Sequence, residues 1–299
     1  MRQAVLIVNP FASGVTEQTL ADVEAALGRH AAVRTLLTER PRHATELAEQ
    51  VVREGCDAIF VFSGDGGFNE ALNGVSGDVA LGFIPGGGTS VLPRALGLGR
   101  DPVDAARRLG DALAAGRTRR LSLGRVNGRR FAFNAGTGID AETVRRFNAL
   151  GRGPDGRRPG DLRFALTLAG VLRERGWRYE PVAELGGVGR VAFVLVTNCE
   201  TFSYAGRLRL KVAPQARFEL GIDAVAPRRV RPGDIPRLAG YLFTGIESLR
   251  GRRVEYLHDR DRLELRSDAP LPLQADGEDL GDVVEAVFEA ERDAVSVLV

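Results

Sequence analysis

The sequence predicts an α/β protein in two parts. An N-terminal three-layer α/β domain is built on a mainly parallel sheet, and a C-terminal, mainly antiparallel β-sandwich domain follows it. Three observations predict this. Residues 3–115 alternate short apolar runs with stretches of helical spacing, the β-α-β-α-β order that calls for parallel strands and right-handed crossovers. From about Arg119 short strand-like runs dominate, set off by turn signals such as Asn127-Gly128 and Gly186-Gly187. Polar, glycine-rich segments fall at the carboxyl ends of the early strands, where open parallel sheets bind ligands. A chain of 299 residues that is 44% hydrophobic has enough material for two domains. The boundaries are expected at 1–120 for the first domain and 121–289 for the second.

The first strand, Gln3–Val8, is apolar throughout and stops at Asn9-Pro10-Phe11-Ala12-Ser13-Gly14. Residues 16–29 carry helical spacing through Leu20, Val23, Ala26 and Leu27. A second strand, Val33–Leu37, ends at Thr38, and a helix over 42–54 leads to the third strand, Ala58–Phe62. A fourth, Val79–Ile84, ends in Pro85-Gly86-Gly87-Gly88-Thr89-Ser90 and runs into a helix through Val91 to Leu96, with Arg94 one turn in. Asp101-Pro102 reads as the cap and first turn of a helix over 101–115.

The most informative stretch is Ser63-Gly64-Asp65-Gly66-Gly67, directly after the third strand and before a helix opening at Asn69–Asn73. Glycines there remove Cβ atoms, permit positive φ and let backbone amides approach a ligand. A glycine turn between strand and helix suits phosphate, because free amides and the helix dipole both favour anions. Asp65 does not belong in a bare phosphate cradle. A carboxylate there repels the ligand unless it meets a metal ion or takes a proton, which points to phosphoryl transfer or nucleotide binding. Asn9–Gly14, Thr38, Ser63–Gly67 and the Gly87–Ser90 turn all fall at strand ends and are expected to converge.

In the second part, strand runs are read at Leu121–Val126, Arg130–Asn134, Arg178–Leu185, Val191–Thr197, Phe218–Ala226, Val254–Leu257, Leu263–Ser267 and Val283–Glu289. Helices interrupt them at 140–150, 161–175 and 235–249. Arg145, Arg146 and the Arg152–Gly160 linker form a basic stretch beside the amphipathic Leu162–Leu172 segment, either a solvated surface or one that meets anionic lipid. Two carboxylate-bearing turns stand out: Asn134-Ala-Gly-Thr-Gly-Ile-Asp140, and Gln274-Ala275-Asp276-Gly277-Glu278. Asp-Gly is an ordinary hairpin signal, but Glu278 beside it is not required by the turn.

Composition excludes several classes. Lys+Arg 41 against Asp+Glu 39 is too balanced for a nucleic-acid binder. Lys211 is the only lysine, so no P-loop lysine is available and phosphate charge falls to backbone amides, arginine and a metal ion. Cys56 and Cys199 are isolated and expected to be buried thiols. No signal peptide or long apolar run is found, so a cytoplasmic protein is expected.

Together these residues resemble the diacylglycerol kinase catalytic-domain family, which includes sphingosine and ceramide kinases. The resemblance is carried by Val8-Asn9-Pro10…Ser13-Gly14, Ser63-Gly64-Asp65-Gly66…Asn69-Glu70…Asn73-Gly74, Pro85…Gly87…Arg94, Asn134…Gly138-Ile139-Asp140 and Gln274…Asp276-Gly277-Glu278. NAD kinases and phosphofructokinases share the glycine-aspartate turn alone. The resemblance implies an NAD kinase/diacylglycerol kinase-like fold, a two-domain enzyme with ATP between the domains, Mg²⁺, and a lipid alcohol at the membrane surface as acceptor. It implies that Asn9, Ser13, Gly14, Thr38, Ser63, Gly64, Asp65, Gly66, Gly67, Asn69, Glu70, Gly87, Gly88, Thr89 and Ser90 hold ATP. Glu278 is implied as the general base, with Asp65 acting on Mg²⁺-bound phosphate or sharing that role. Metal ligands would come from Asp65, Asp140, Glu219 and Asp223. The last segment, 290–299, would return to complete the first domain's sheet, and peripheral contact with the inner membrane surface is expected.

The chain departs from the family at several points. Ser63 stands where many members have glycine, Gly67 and Gly88 stand where threonine is usual, Ser90 replaces an asparagine, and Val91 an aspartate found in some bacterial members. The acidic pair of the bacterial structural-Mg²⁺ motif is reduced to Glu219-Leu220-Gly221-Ile222-Asp223. Two other readings stay open: a kinase of a soluble acceptor, NAD kinase being nearest, and a nucleotide-binding sensor without turnover.

Overall fold

The computed structural model describes residues 2–151, 161–206 and 208–299. The chain divides into two compact units, Met1–Ser122 with Asp293–Val299, and Leu123–Arg292.

In the first unit, β1 (Arg2–Val8), α1 (Glu17–Gly28), β2 (Ala31–Leu37), α2 (His43–Glu54), β3 (Ala58–Ser63), α3 (Asp65–Gly74), β4 (Ala80–Pro85), α4 (Val91–Ala95) and α5 (Pro102–Ala115) follow one another. β1 pairs in parallel with β2 on one side and β3 on the other, and β3 pairs in parallel with β4. β3 and β4 are buried at every position, as an apolar run covered on both faces requires. Leu6, Val8, Phe60, Phe62 and Ile84 pack against Leu109 and Leu113 of α5. Phe68 of α3 meets Phe83 edge-on at 5.4 Å.

The helix starts follow their sequences. Thr16 and Thr19 form a reciprocal capping box at α1. Asp101 accepts from the Asp104 amide at 2.7 Å, with Pro102 in the first turn of α5. α2 has no side-chain cap of its own; its Ala44 amide donates to Glu70 of α3 at 3.2 Å. Gly74 faces α2 so closely that a Cβ would fall 2.2 Å from the Thr45 carbonyl oxygen. Asn73-Gly74 is therefore a packing site between two helices.

β5 (Thr118–Val126) carries the chain onward to β6 (Arg129–Phe131), β7 (Asn134–Thr137), α6 (Ile139–Ala149) and α7 (Asp161–Glu174). Then come β8 (Ala183–Leu185), β9 (Gly189–Val191), β10 (Leu195–Thr197), β11 (Thr201–Ala205), β12 (Leu208–Lys211) and β13 (Ile222–Pro227). The chain closes with α8 (Ile235–Thr244), α9 (Glu247–Arg250), β14 (Val254–Arg260), β15 (Arg262–Ala275) and β16 (Glu278–Leu298). The pairings β14–β13–β10–β7–β15–β16 are all antiparallel. Val126, Phe131, Val191, Val196, Ile222, Leu265 and Phe288 form the core of the second unit. The last residues of β16 pair in parallel with β4, Ser296 opposite Ala80 and Val297 opposite Leu81, so the chain's end is a strand of the first unit's sheet.

Three readings from sequence are corrected here. α3 begins at Asp65 and not near Asn69, so the glycine turn is the helix's own first turn. Gly64 caps it with φ −91°, an ordinary extended conformation, so these glycines provide space and not positive φ. Arg145 and Arg146 are not free charges: Arg145 pairs with Asp279 and Asp282, and Arg146 with Glu142 and Glu174. The Arg152–Gly160 linker lies outside the described residues.

Candidate functional site

In the first unit, hydrogen bonds tie together the segments at the ends of β1, β2, β3 and β4. Thr38 N donates to Val8 O at 2.8 Å and Asn9 N to Phe62 O at 3.0 Å. Gly86 N donates to Ser63 O at 2.7 Å, and Gly14 N to Gly86 O at 2.7 Å. Gly14, Gly64 and Gly87 make this closeness possible. A Cβ on Gly14 would meet the Gly86 carbonyl oxygen at 3.0 Å, and one on Gly87 would fall 2.8 Å from the Gly64 Cα. The two glycine turns touch backbone to backbone.

Asp65 links them through its side chain. Its Oδ1 accepts from Leu92 N, at the start of α4, at 3.2 Å. Burial pushes the Asp65 carboxyl above its ordinary range, while the amides of Val91 and Leu92 and the Arg94 charge pull the other way. Such a group can meet a cation or a proton. Its charge also lies at the positive end of α3.

The remaining predicted residues of this unit divide by what their side chains touch. Asn9 Oδ1 accepts from Phe11 N at 3.0 Å, closing a turn on itself. The Ser90 hydroxyl is engaged with Gly87, accepting from its amide at 3.2 Å and lying 3.0 Å from its carbonyl oxygen. Asn69 is 1% exposed and accepts from Asn73 Nδ2 at 3.1 Å. Glu70 turns towards α2 and accepts from its Ala44 amide, as a cap of that helix does. Gly88 has open space where a Cβ would be. Arg100, which the sequence did not single out, donates to Gly88 O at 3.2 Å, and Arg94 donates to Thr89 O at 3.3 Å. No local spacing points to Arg100, because it reaches the turn from beyond α4.

The second unit assembles the other carboxylates at the β15–β16 hairpin. Asp276 and Gly277 have φ of 47° and 82°, the double positive φ of a type I′ turn. Asp276 is 5% exposed and accepts from the amides of Ala132, Phe133 and Asn134 at 2.7, 3.0 and 3.1 Å. It is a lock for the hairpin tip. Gln274 Nε2 donates to Asn134 Oδ1 at 2.7 Å and to Asp140 Oδ2 at 2.6 Å, while its Oε1 accepts from Gly277 N at 2.9 Å. Burial raises the Asp140 carboxyl to about 6, with the Gln274 bond opposing it. Glu278 opens β16 and is paired with Arg129, with side chains 33% and 25% exposed respectively. Sequence reasoning missed Arg129, which follows the Asn127-Gly128 turn and has no periodic relation to Glu278.

Asp140, Glu219 and Asp223, expected as metal ligands, do not gather at one point among the described residues. Asp223 is 0% exposed, but protein donors occupy its oxygens: Tyr256 OH at 2.5 Å, His258 Nδ1 at 3.0 Å and Asp259 N at 2.9 Å. Glu219 is exposed, and Asp140 is bonded to Gln274. Among the described residues no three His, Cys, Asp or Glu side chains gather around a common point for a cation. Cys199 is buried and its thiol is pushed up to about 12 by burial, an inert group; Cys56 is only half-buried.

The Diacylglycerol kinase catalytic domain family matches residues 3–126. A Streptococcus pneumoniae protein designated a lipid kinase is 30% identical over 213 residues, 68% of this chain and 69% of that protein. Among solved structures, a diacylglycerol kinase from Bacillus anthracis gives a TM-score of 0.72 at 17% identity, covering 99% of this chain and 96% of that one. An NAD kinase from Archaeoglobus fulgidus, solved in complex with ATP, gives 0.56 at 14% identity, covering 99% and 94%. At such identities the two structures speak for the fold alone, and that fold is the one shared by these kinases. The chain belongs to the diacylglycerol kinase catalytic-domain family of lipid kinases.

Proposed function

We propose that the chain transfers the γ-phosphoryl group of ATP, with Mg²⁺, to the hydroxyl of diacylglycerol or a related lipid alcohol. The observation that carries this is the touching pair of glycine turns at the ends of β3 and β4, joined by the Asp65–Leu92 bond. A backbone cradle at the start of a ten-residue helix suits the phosphates of a nucleotide, and Asp65 supplies the one acidic group that a bare anion site would lack.

The residues fit ATP and a metal that arrives with it. Mg²⁺ is commonly held by one or two carboxylates plus substrate phosphates, so a single carboxylate in the cradle suffices, and Asp65 would hold it there. The ion's chemistry is charge neutralisation on the phosphates. The chain's own part is positional: the amides of α3's first turn and of the Gly87–Ser90 turn hold the phosphates. Glu278, oriented by Arg129, accepts the proton from the acceptor hydroxyl. The new bond joins the lipid oxygen to the γ-phosphorus, the bond to the β-phosphate oxygen breaks, and ADP leaves with that electron pair.

No helix among the described residues is long and apolar enough to cross a membrane. In this proposal the enzyme works from the cytoplasmic side as a peripheral protein, and Leu162 and Leu166, 75% and 57% exposed on α7, suit contact with a lipid surface. The likeness to NAD kinase keeps a soluble acceptor as the competing reading. The test pairs calorimetric titration of MgATP with mass-spectrometric detection of phosphorylated product from diacylglycerol, ceramide, sphingosine and NAD. A phosphorylated lipid supports the proposal; phosphorylated NAD alone, or binding without any product, overturns it.

A further inference from the structure

The hairpin tip that carries Glu278 is gripped from two sides. On the sheet side, Asp276 binds the amides of residues 132–134, and Gln274 binds Gly277 N. On the other side stands α6. Its Asn148 Nδ2 donates at 3.1 Å to Gly277 O, the carbonyl of the peptide that joins Gly277 to Glu278. Its Arg145 holds Asp279 as a fork, Nε to Oδ2 at 2.8 Å and Nη2 to Oδ1 at 3.1 Å. The same Nη2 lies 2.6 Å from Asp282 Oδ1. Arg145 and Asn148 stand three residues apart on α6 and so share one face of it. In the β15–β16 pairing Asp279 lies opposite Gln274, and Glu278 opposite Ala275. Successive strand side chains point to opposite faces, so α6 takes the Asp279 face and Glu278 is directed to the face where Arg129 meets it. The grip of α6 is on the peptide before Glu278 and on the side chain after it. α6 is itself braced by the next helix: Phe147 meets Phe164 edge-on at 5.2 Å, and Arg146 and Arg175 clasp Glu142.

We propose that Asn148 and Arg145 are positioning residues of the phosphoryl transfer, holding the Gly277–Glu278–Asp279 backbone where the Glu278 carboxylate meets the acceptor hydroxyl. This rests on the reading of Glu278 as the general base. The tip has no need of α6 to stay closed, because its type I′ turn and the three amides on Asp276 already fix it to the sheet. The Arg145 and Asp279 side chains are 35% and 28% exposed, and partly exposed ion pairs contribute little to stability. What a two-pronged guanidinium contact contributes is direction. Direction is what a general base requires: it must stand at hydrogen-bond distance from the proton it takes, and a displacement of about 1 Å costs about 10²-fold in rate. Arg145, which reads in the sequence as part of a basic surface, thus acts inward on the base.

The test compares Arg145→Gln and Asn148→Ala with the wild-type chain, each also built into Glu278→Gln. Arg190→Gln is the control, because Arg190 makes a like pair with Asp268 elsewhere on the second unit. Transfer from γ-labelled ATP to diacylglycerol, or to whichever acceptor the wild type phosphorylates, gives kcat and the KM for ATP. Thermal unfolding reports the fold. Arg145→Gln and Asn148→Ala are each expected to lower kcat about tenfold, with the KM for ATP within about twofold and the midpoint within a few degrees of wild type. In the Glu278→Gln background they are expected to lower kcat no further, since a residue that acts only through the base has nothing left to position. Arg190→Gln is expected to turn over as the wild type does. The proposal is overturned if Arg145→Gln and Asn148→Ala turn over normally, if their losses persist in Glu278→Gln, if the midpoint falls in step with the rate, or if Arg190→Gln loses as much. A Glu278→Gln chain with wild-type kcat, or a wild type that phosphorylates no acceptor, overturns the reading of Glu278 and the proposal with it. A slow Glu278→Gln beside unaffected Arg145→Gln and Asn148→Ala overturns the proposal alone.

Discussion

The carboxylate of Asp65, in the first turn of α3, accepts a hydrogen bond from the amide of Leu92, in the first turn of α4, at 3.2 Å. One side chain therefore joins two helix starts and the two glycine turns before them. Asp65→Asn keeps the accepting oxygen but removes the charge. The thermal midpoint is expected to stay within a few degrees, while phosphoryl transfer falls by at least about a hundredfold, as loss of a group acting on the transferred phosphate does. Normal turnover in this variant would remove Asp65 from the reaction.

Glu278 has a different signature. Glu278→Gln preserves shape, so kcat is expected to fall by about 10²–10⁴-fold, the range for a lost general base, with the dissociation constant of ATP nearly unchanged. Arg129→Gln should lower kcat less, because it removes only the group that orients the base. A loss confined to ATP affinity in Glu278→Gln would contradict the role assigned to it.

Asp140 gives a pH dependence whose sign is fixed. Its carboxyl is raised from 3.8 to about 6 in the folded chain, so the folded state binds more protons than the unfolded state between those values. Stability from this group is therefore present at low pH and lost as pH rises from about 4 through about 6. The loss is of order 1–2 kcal/mol, less than the full shift implies, because the side chain keeps partial access to solvent. Denaturant titrations between pH 4 and 8 should show Asp140→Asn gaining on the wild type up to about pH 6 and running parallel above it. Parallel curves throughout would refute the assignment.

The joint around Asp223 is made of protein donors, Tyr256 OH, His258 Nδ1 and Asp259 N. Tyr256→Phe leaves a buried carboxylate short of one donor and should cost about 1–3 kcal/mol of stability. Chelation of divalent cations should leave the thermal midpoint of the nucleotide-free chain unchanged. A midpoint that drops on adding chelator and returns with Mg²⁺ would show a metal at this joint after all.

Much of this was legible in the sequence because the signals were local. The apolar runs of β1, β3 and β4, the Asp101-Pro102 start of α5 and the Asp276-Gly277 turn all appear as read. What was not legible is non-local. Arg129 and Glu278 are 149 residues apart, and no periodicity relates them. The start of α3 was misplaced because Gly66 and Gly67 read as loop, whereas the helix takes them into its first turn to clear Ser63. Only Leu263–Ser267 of β15 was read as strand, because Pro270 and Pro272 interrupt the alternation where register shifts fall between Arg266 and Leu271 and between Pro272 and Gln274. The hairpin β11–β12 was missed for lack of a strong apolar pattern, and the bond from the Ala44 amide to Glu70, 26 residues apart, has no local signal.

The most direct measurement of the central claim is transfer of label from γ-labelled ATP, with Mg²⁺, to diacylglycerol in mixed micelles, for the wild-type chain and Asp65→Asn side by side. Label is expected in the chloroform-soluble product of the wild type and at background in the variant. Equal label from both proteins, or none from a wild type shown to bind ATP while NAD in a parallel reaction is phosphorylated, would contradict the account.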